Sequence, residues 1–246
     1  MALRDLLYSS YFQLERRIAP EVRYAQSHYE EMLDRHVEVG ARWLDVGCGR
    51  RLLPPWSESR EKELVARCAL LVGIDQDFSS LLDNRTARPC FGAIGQLPFA
   101  AGAFSLVTAN MVVEHLGAPD EEFAEVHRVL APNGVFLLHT PNAAAYPTTI
   151  ARRLPDAAKR LLALTLDGRS GGDVFPTYYR ANTGSALEGL ARRTGFELAE
   201  LRYVSTSAVF ALVPPVAVAE LLWLRRLASQ DRAEARSNII AAFIKR

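Results

Sequence analysis

At 246 residues, 49% of them hydrophobic, the chain is long enough to bury one large core, and α/β sheets of this size usually form one domain. Its 29 Lys and Arg against 28 Asp and Glu leave a formal net charge of +1, too weak a field to draw in a polyanion, so nucleic acid is set aside as a partner. Cys48, Cys68 and Cys90 stand at unpaired spacings, which argues against a disulfide framework or a zinc site and suits a reducing cytoplasm, and the charged start Met1-Ala2-Leu3-Arg4-Asp5 is unlike a secretory leader.

After Pro20, Val22, Ala25, Tyr29, Met32, Leu33 and His36 or Val37 fall at helical spacing and predict an amphipathic helix ahead of the first strand. Arg42-Trp43-Leu44-Asp45-Val46-Gly47-Cys48-Gly49-Arg50 then reads as an apolar strand ending on a carboxylate, with two glycines behind it. Lacking a Cβ, Gly47 and Gly49 reach positive φ and let a ligand approach bare backbone N–H groups at the start of the next helix. A valine at Gly47 is therefore expected to abolish binding by blocking that approach, even where thermal stability survives. Pro54, Pro55 and Trp56 with the charged run from Ser57 to Lys62 read as a loop, with the helix at about Glu63 to Cys68.

Leu70 to Asp75 predicts a second buried strand ending in a carboxylate, the usual acceptor for two ribose hydroxyls. The interval from Gly49 to Asp75 exceeds the about 20 residues of a dinucleotide fingerprint, and the third glycine is missing, so the expected nucleotide carries no phosphates. Phe104 to Asn110 and Val135 to His139 are short apolar runs, hence buried strands, separated by a helix whose inner face is Phe123, Val126, Val129 and Leu130. Such alternation implies βαβ crossovers and a parallel sheet covered on both faces. Leu187, Leu190, Ala191 and Thr194 make a further helix that stops at Gly195, and Phe196 to Val204 and Asn238 to Ile244 are the final strands.

Taken in order, these motifs resemble the class I S-adenosylmethionine-dependent methyltransferases of the small-molecule kind. Leu44 to Gly49 is similar to the family's first motif, Gly73-Ile74-Asp75 to its second, and Gly92 to Phe99 to the stretch flanking the adenine. Phe104 to Leu116, ending Glu114-His115-Leu116, resembles the fourth strand together with the segment after it. Arg128 to Gly134 resembles the turn before the fifth strand, and Thr140-Pro141-Asn142 the strand's exit. The resemblance implies a doubly wound, mostly parallel seven-stranded Rossmann-like sheet with an antiparallel final strand. It also implies a single domain over 1–246: a helical cap over 1–40, a cofactor core over 41–142, a substrate lid over 143–183, and strands and helices over 184–246.

For S-adenosyl-L-methionine the resemblance implies a definite set of contacts. Gly47, Cys48 and Gly49 would face the methionine end, Asp45 would hold its ammonium directly or through water, and Asp75 with Gln76 would take the ribose. Ala93 and Gly95 stand where the family often has acids, so adenine recognition is left to backbone groups of Ala93 and Ile94 or to other side chains. Asn110 would lie beside the sulfonium. His115 reads either as a pocket wall or base, or as a helix-start histidine paired locally; His139 reads as a satisfied core residue and His127 as a surface one. No spacing of His and carboxylates suggests a metal.

The acceptor is expected to meet the insertion from Ala143 to Thr183, where Asp173, Tyr178, Tyr179 and Arg180 suit a polar, ring-bearing molecule and Tyr179 is, with His115, a catalytic candidate. The competing reading is a structural turn in which Asn182 or Thr183 caps the next helix. Ala208 to Leu224, dense in large apolar residues and followed by Arg225-Arg226, is too broken to span a bilayer. It reads as a core helix, a dimer surface or a lipid-facing patch.

Methyl transfer from a sulfonium needs alignment above all, and a positioned base only where the acceptor is an alcohol. The expected function is methylation of a small molecule, a saccharide or metabolite hydroxyl, in a bacterial cytoplasm. The alternatives are a lipid-linked or quinone-type acceptor at the inner membrane face, and a non-catalytic cofactor-binding module. A nicotinamide oxidoreductase lacks its pyrophosphate turn and Tyr-Lys pair here.

Overall fold

The computed structural model describes residues 3–153 and 176–246, which fall into two compact units: a larger one of residues 29–140, 177–202 and 240–246, and a smaller one drawn from 1–28, 141–176 and 203–239. Seven strands are β1 (Ala41–Val46), β2 (Cys68–Asp75), β3 (Arg88–Phe91), β4 (Phe104–Asn110), β5 (Leu130–Pro141), β6 (Phe196–Val204) and β7 (Asn238–Lys245). They form one sheet in the order β3-β2-β1-β4-β5-β7-β6. The pairs β1–β2, β1–β4, β2–β3 and β4–β5 are parallel, and the late-arriving β7 is inserted between β5 and β6 with antiparallel sense.

Strand order reverses between β1 and β4, which opens a crevice beyond their carboxyl ends. Asp45, Asp75 and Asn110 stand at or next to those ends. Around the sheet lie α2 (Ala25–His36), α3 (Glu58–Arg67), α4 (Phe78–Asp83), α5 (Pro119–Val129) and α7 (Gly184–Thr194), the last capped at Thr183, whose hydroxyl accepts from the Ala186 amide, and ended by left-handed Gly195. Phe123, Val126 and Val129 of α5 are fully buried as their spacing requires, and Phe123 meets Phe136 and Phe243 edge-on at 5.2 and 5.8 Å.

Three local readings are corrected. The charged run after Trp56 is helical: a 3-10 turn over Pro55–Ser57 leads straight into α3, whose Glu58–Lys62 and Arg60–Glu63 pairs lie at i,i+4 and i,i+3 spacing, while Glu61 and Leu64 face inward. Strand β5 begins at Leu130 rather than Val135, because the Ala131–Gly134 turn is absorbed as an irregularity between the pairs Phe104–Leu130 and Leu106–Val135. His127 is half-buried with its ring edge-on to Phe196 at 5.0 Å, and burial together with Lys245 lowers its pKa.

In the smaller unit α1 (Leu3–Ile18) packs along α8 (Pro214–Leu227), with α6 (Tyr146–Arg153) and a 3-10 segment over Gln230–Ala235 also present. Tyr11, Ala211, Ala217, Leu221 and Leu224 form its core. Within that core Glu220 is buried. Its carboxylate accepts the hydroxyls of Tyr11 at 2.9 Å and Tyr146 at 2.8 Å and the amides of Val209 and Phe210, both at 3.2 Å. Burial, reinforced by the neighbouring carboxylate, pushes both phenol pKa values up.

Candidate active site

Gly47 and Gly49 adopt φ of +64° and +49°, as a left-handed turn after β1 demands. The amides of the turn are nevertheless occupied. Gly47 and Cys48 donate to the Ile74 carbonyl at 2.8 and 3.3 Å, and Gly49 donates to Asp75 Oδ2 at 2.8 Å. No helix starts there either, since the next helical residue after β1 is Pro55. The expectation of bare N–H groups at a helix start is thus corrected: the turn braces itself on β2, and what it leaves open is the space above Gly49.

A Cβ on Gly49 would meet nothing within 4 Å, whereas one on Gly47 would come to 2.4 Å of Val112 Cγ2. Gly47→Val should therefore unfold the turn as well as block it, through both the left-handed backbone and the clash with Val112. We expect a loss of roughly 2–4 kcal/mol in urea denaturation. Gly49→Ala should lose only the backbone cost of about 1–2 kcal/mol.

Asp75 is braced from both sides, with Oδ1 accepting from the Asp77 amide at 2.8 Å and Oδ2 from Gly49. Each carboxylate oxygen keeps a lone pair for one further donor. Asp77 caps α4 by accepting from the Ser79 amide, and the Ser79 and Ser80 hydroxyls lower its pKa to about 2. Gln76 is exposed, Ile94 is buried, and the Ala93 carbonyl closes a turn with the Gln96 amide at 3.2 Å. That loop is clamped to α5: Glu125 accepts from the Leu97 amide, and Arg128, paired with Glu125, donates to the carbonyls of Leu97 and Phe99.

Asp45 lies in the interior at 6% exposure, opposite Thr108 in the β1–β4 register. Thr108 donates its hydroxyl to Asp45 Oδ1 and accepts from Trp43 Nε1 at 2.7 Å. Burial raises the Asp45 pKa to about 7, the Thr108 hydrogen bond opposing it and the Asp75 charge adding to it. The Cys48 thiol, also buried, is pushed up by burial and by the same two carboxylates, so it is no nucleophile. Thr108 and Trp43 escaped the sequence reading. A hydroxyl in an otherwise apolar strand, facing the motif's carboxylate, was the available signal.

Beyond β4 the chain turns sharply. Met111 takes φ of +60° with its amide on the His139 carbonyl, and Asn110 Oδ1 lies 2.8 Å from His139 Nδ1, whose ring stacks on Tyr29. The Asn110 side chain is thus engaged by His139. Glu114 is buried, with its carboxylate accepting the Thr140 hydroxyl at 3.1 Å, and Asn182 donates to the same hydroxyl. The Glu114 carbonyl accepts the amides of Tyr178 and Tyr179 at 2.8 and 3.2 Å, which brings that segment against His115.

Tyr179 has φ of +53°, one of four left-handed residues among those described that are not glycine, the others being Met111, Asn133 and Ala208, and such strain is found at functional sites. Arg180 donates to the Gly117 carbonyl and lies over the Tyr178 ring at 5.3 Å. His115 Nε2 stands 4.0 Å from Glu114 Oε1. The structure therefore brings His115, Tyr178, Tyr179 and Arg180 together, with Asn110 on the adjoining turn; Asp173 lies outside the described residues. Among the described residues no cluster of His, Cys, Asp and Glu could hold a metal ion.

The matched family model is that of a methyltransferase domain, over residues 14–201. The chain is 35% identical over 106 residues to a malonyl-[acyl-carrier protein] O-methyltransferase of Legionella pneumophila, covering 40% of this chain and 36% of the relative. It is 31% identical over 112 residues to a probable S-adenosylmethionine-dependent methyltransferase of Mycolicibacterium smegmatis, covering 44% and 40%. The chain thus spans well under half the length of these curated relatives. In fold it is similar to geranyl diphosphate C-methyltransferase of Streptomyces coelicolor, solved with S-adenosyl-L-homocysteine, with a TM-score of 0.54, 12% identity, and coverage of 89% of this chain and 77% of that one. The glycine turn and the braced Asp75 carboxylate both lie within this match, which runs along most of the chain, and the chain belongs to the methyltransferase domain family.

Proposed function

We propose that this chain transfers the methyl group of S-adenosylmethionine to a small molecule, a hydroxyl of a saccharide or other metabolite. The observation that carries the reading is the gathering of the site at one end of the larger unit's sheet. The open turn at Gly49, Asp75 with a free lone pair on each oxygen, and the strained Met111 corner lie at or just past the carboxyl ends of β1, β2 and β4, and the strained Tyr179 is tied to the segment after β4 through the Glu114 carbonyl. In this reading the residues suit the cofactor: Gly47, Cys48 and Gly49 lie along its methionine end, Asp45 faces the ammonium, Asp75 and Gln76 hold the ribose, Ala93 and Ile94 flank the adenine, and Asn110 borders the sulfonium. The bound cofactor supplies an activated methyl group, and the chain's own contribution is to align the acceptor and receive its proton.

His115 is the candidate base and Tyr179 the orienting group, with Tyr178 and Arg180 as the acceptor's wall; Asp173 belongs to the same proposed set. Alanine at Tyr179 or Arg180 should lower turnover by about 10- to 100-fold, the range of misplaced positioning groups, while calorimetric binding of S-adenosylhomocysteine stays within twofold. Affinity falling in step with turnover would assign the segment to the cofactor instead. His115→Ala separates acceptor classes. A hydroxyl acceptor should lose about 10²- to 10⁴-fold, whereas a carboxylate, as the name of the Legionella relative implies for that protein, needs no base.

Labelled methyl transfer into a bacterial metabolite extract tests the reading as a whole: no labelled product would leave a non-catalytic cofactor-binding module. Cytoplasmic placement and a lipid-linked or quinone-type acceptor belong to the proposal. No described helix is long and apolar enough to cross a membrane.

Asp45 gives this reading a pH signature. Its folded pKa of about 7 means that the folded protein retains a proton that the unfolded chain has already released. The stability this contributes is complete below about pH 4 and is lost as pH rises to about 7. An ammonium beside Asp45 favours the ionised carboxylate, so binding should expel that proton. S-adenosylhomocysteine affinity is therefore expected to rise by up to about tenfold per pH unit between pH 5 and 7 and then level off. Calorimetry in buffers of different ionisation enthalpy reads the proton directly, and a slope that persists in Asp45→Asn would remove Asp45 from the ammonium.

A further inference from the structure

We propose that the outward face of α8 rests on an anionic lipid surface. This helix is apolar on both sides. Its inner row packs with α1, while Val216, Val218, Leu222 and Trp223 stand outward at 42%, 38%, 55% and 39% exposure. The rows Val218-Leu222-Arg225 and Val216-Ala219-Trp223-Arg226 keep i,i+3,i+4 spacing and merge into one stripe. A helix on the surface of a soluble domain ordinarily carries its charge outward and its apolar residues inward. Here the charge runs the other way, because the helix's only acid, Glu220, is turned into the core and occupied by two phenols and two amides.

The remaining charges on the helix are Arg225 and Arg226, both exposed and both in the last turn. An apolar stripe with arginines at one end and no carboxylate on the same helix face matches the headgroup boundary of an anionic bilayer, where arginine stems lie along the acyl region and their heads reach the phosphates; the next exposed acid along the chain, Asp231 beyond the helix, is set against Arg226 and Arg232. Trp223 suits the same depth. With 14 residues the helix is about 21 Å long, fit to lie in the surface and too short to cross it. A second copy of the chain is the poorer occupant, since four large side chains fall well short of the roughly 800 Å² per partner of a standard-size interface.

The inference stands apart from the methyl acceptor, because vesicle binding is read without turnover. Full-length protein is sedimented with vesicles of phosphatidylcholine alone or of a mixture rich in phosphatidylglycerol. Binding to the second and not the first is expected. Leu222→Ser with Trp223→Ser should abolish it, and Arg225→Gln with Arg226→Gln should weaken it about twentyfold and flatten its dependence on salt. All four positions are exposed, so thermal midpoints should hold; should the serine pair unfold, the glutamine pair carries the test alone. The proposal is overturned by absence of binding to anionic vesicles, by binding that neither pair changes, or by a dimer in sedimentation velocity that the serine pair dissolves while vesicles fail to bind.

Discussion

Asp75→Ala is expected to weaken S-adenosylhomocysteine binding by roughly 10- to 100-fold, the 1.5–3 kcal/mol typical of a lost hydrogen bond to a charged group. Part of that loss comes from the brace, since Asp75 also receives the amides of Gly49 and Asp77 and its removal frees the turn that shapes the open space above Gly49. Asp75→Asn distinguishes the two parts. It retains the size and one acceptor oxygen, so the turn should lose less than in alanine, while one of the two ribose hydroxyls that Asp75 is proposed to hold meets a donor in place of an acceptor. Calorimetry on both variants, with urea denaturation as the control, reads affinity and brace separately. Unchanged affinity in Asp75→Ala would take the residue out of the cofactor site.

Glu220→Ala should be the most destabilising single change among the described residues of the smaller unit. It leaves without their acceptor the hydroxyl of buried Tyr11 and, at the half-buried edge of this core, the hydroxyl of Tyr146 and the amides of Val209 and Phe210. Leaving buried partners unmet costs about 3–5 kcal/mol once water has entered part of the void. Glu220→Gln keeps one acceptor oxygen and should lose about half as much. Hydrogen exchange locates the effect: protection should vanish first at Val209 and Phe210, whose amides lose their acceptor. A midpoint shift below about 1 kcal/mol in the alanine variant would mean that the carboxylate is not what holds this core.

Much of the larger unit was legible because its signals are local. Buried parallel strands appear as short apolar runs whatever surrounds them, so β1, β2 and β4 could be placed, as could the carboxylates at the ends of β1 and β2 and the left-handed glycines. The inner face of α5 at Phe123, Val126 and Val129 and the stop of α7 at Gly195 are likewise matters of spacing and backbone freedom, whereas Leu130, read as part of that face, opens β5. Where charge stood in for solvation the reading slipped: Ser57 to Lys62 resembles a loop by composition, yet i,i+4 pairing and the inward Glu61 and Leu64 make it helix.

Chain order and local chemistry determined the strands, the glycine turn, the carboxylates beyond it and hence the family. Partners distant in sequence were decided only by the tertiary structure. The pairing of Asp45 with Thr108 depends on strand register, and the occupation of the turn's amides by Ile74 and Asp75 depends on how β2 lies beside β1. The crowding of Gly47 by Val112 and the binding of Tyr178 and Tyr179 to the Glu114 carbonyl depend on where the loop after β4 returns. The two faces of α8 show the division most plainly. Their apolar character is written in the residues, but which side is buried was set by Glu220, whose carboxylate could enter the core only where Tyr11, Tyr146 and two amides converge to satisfy it.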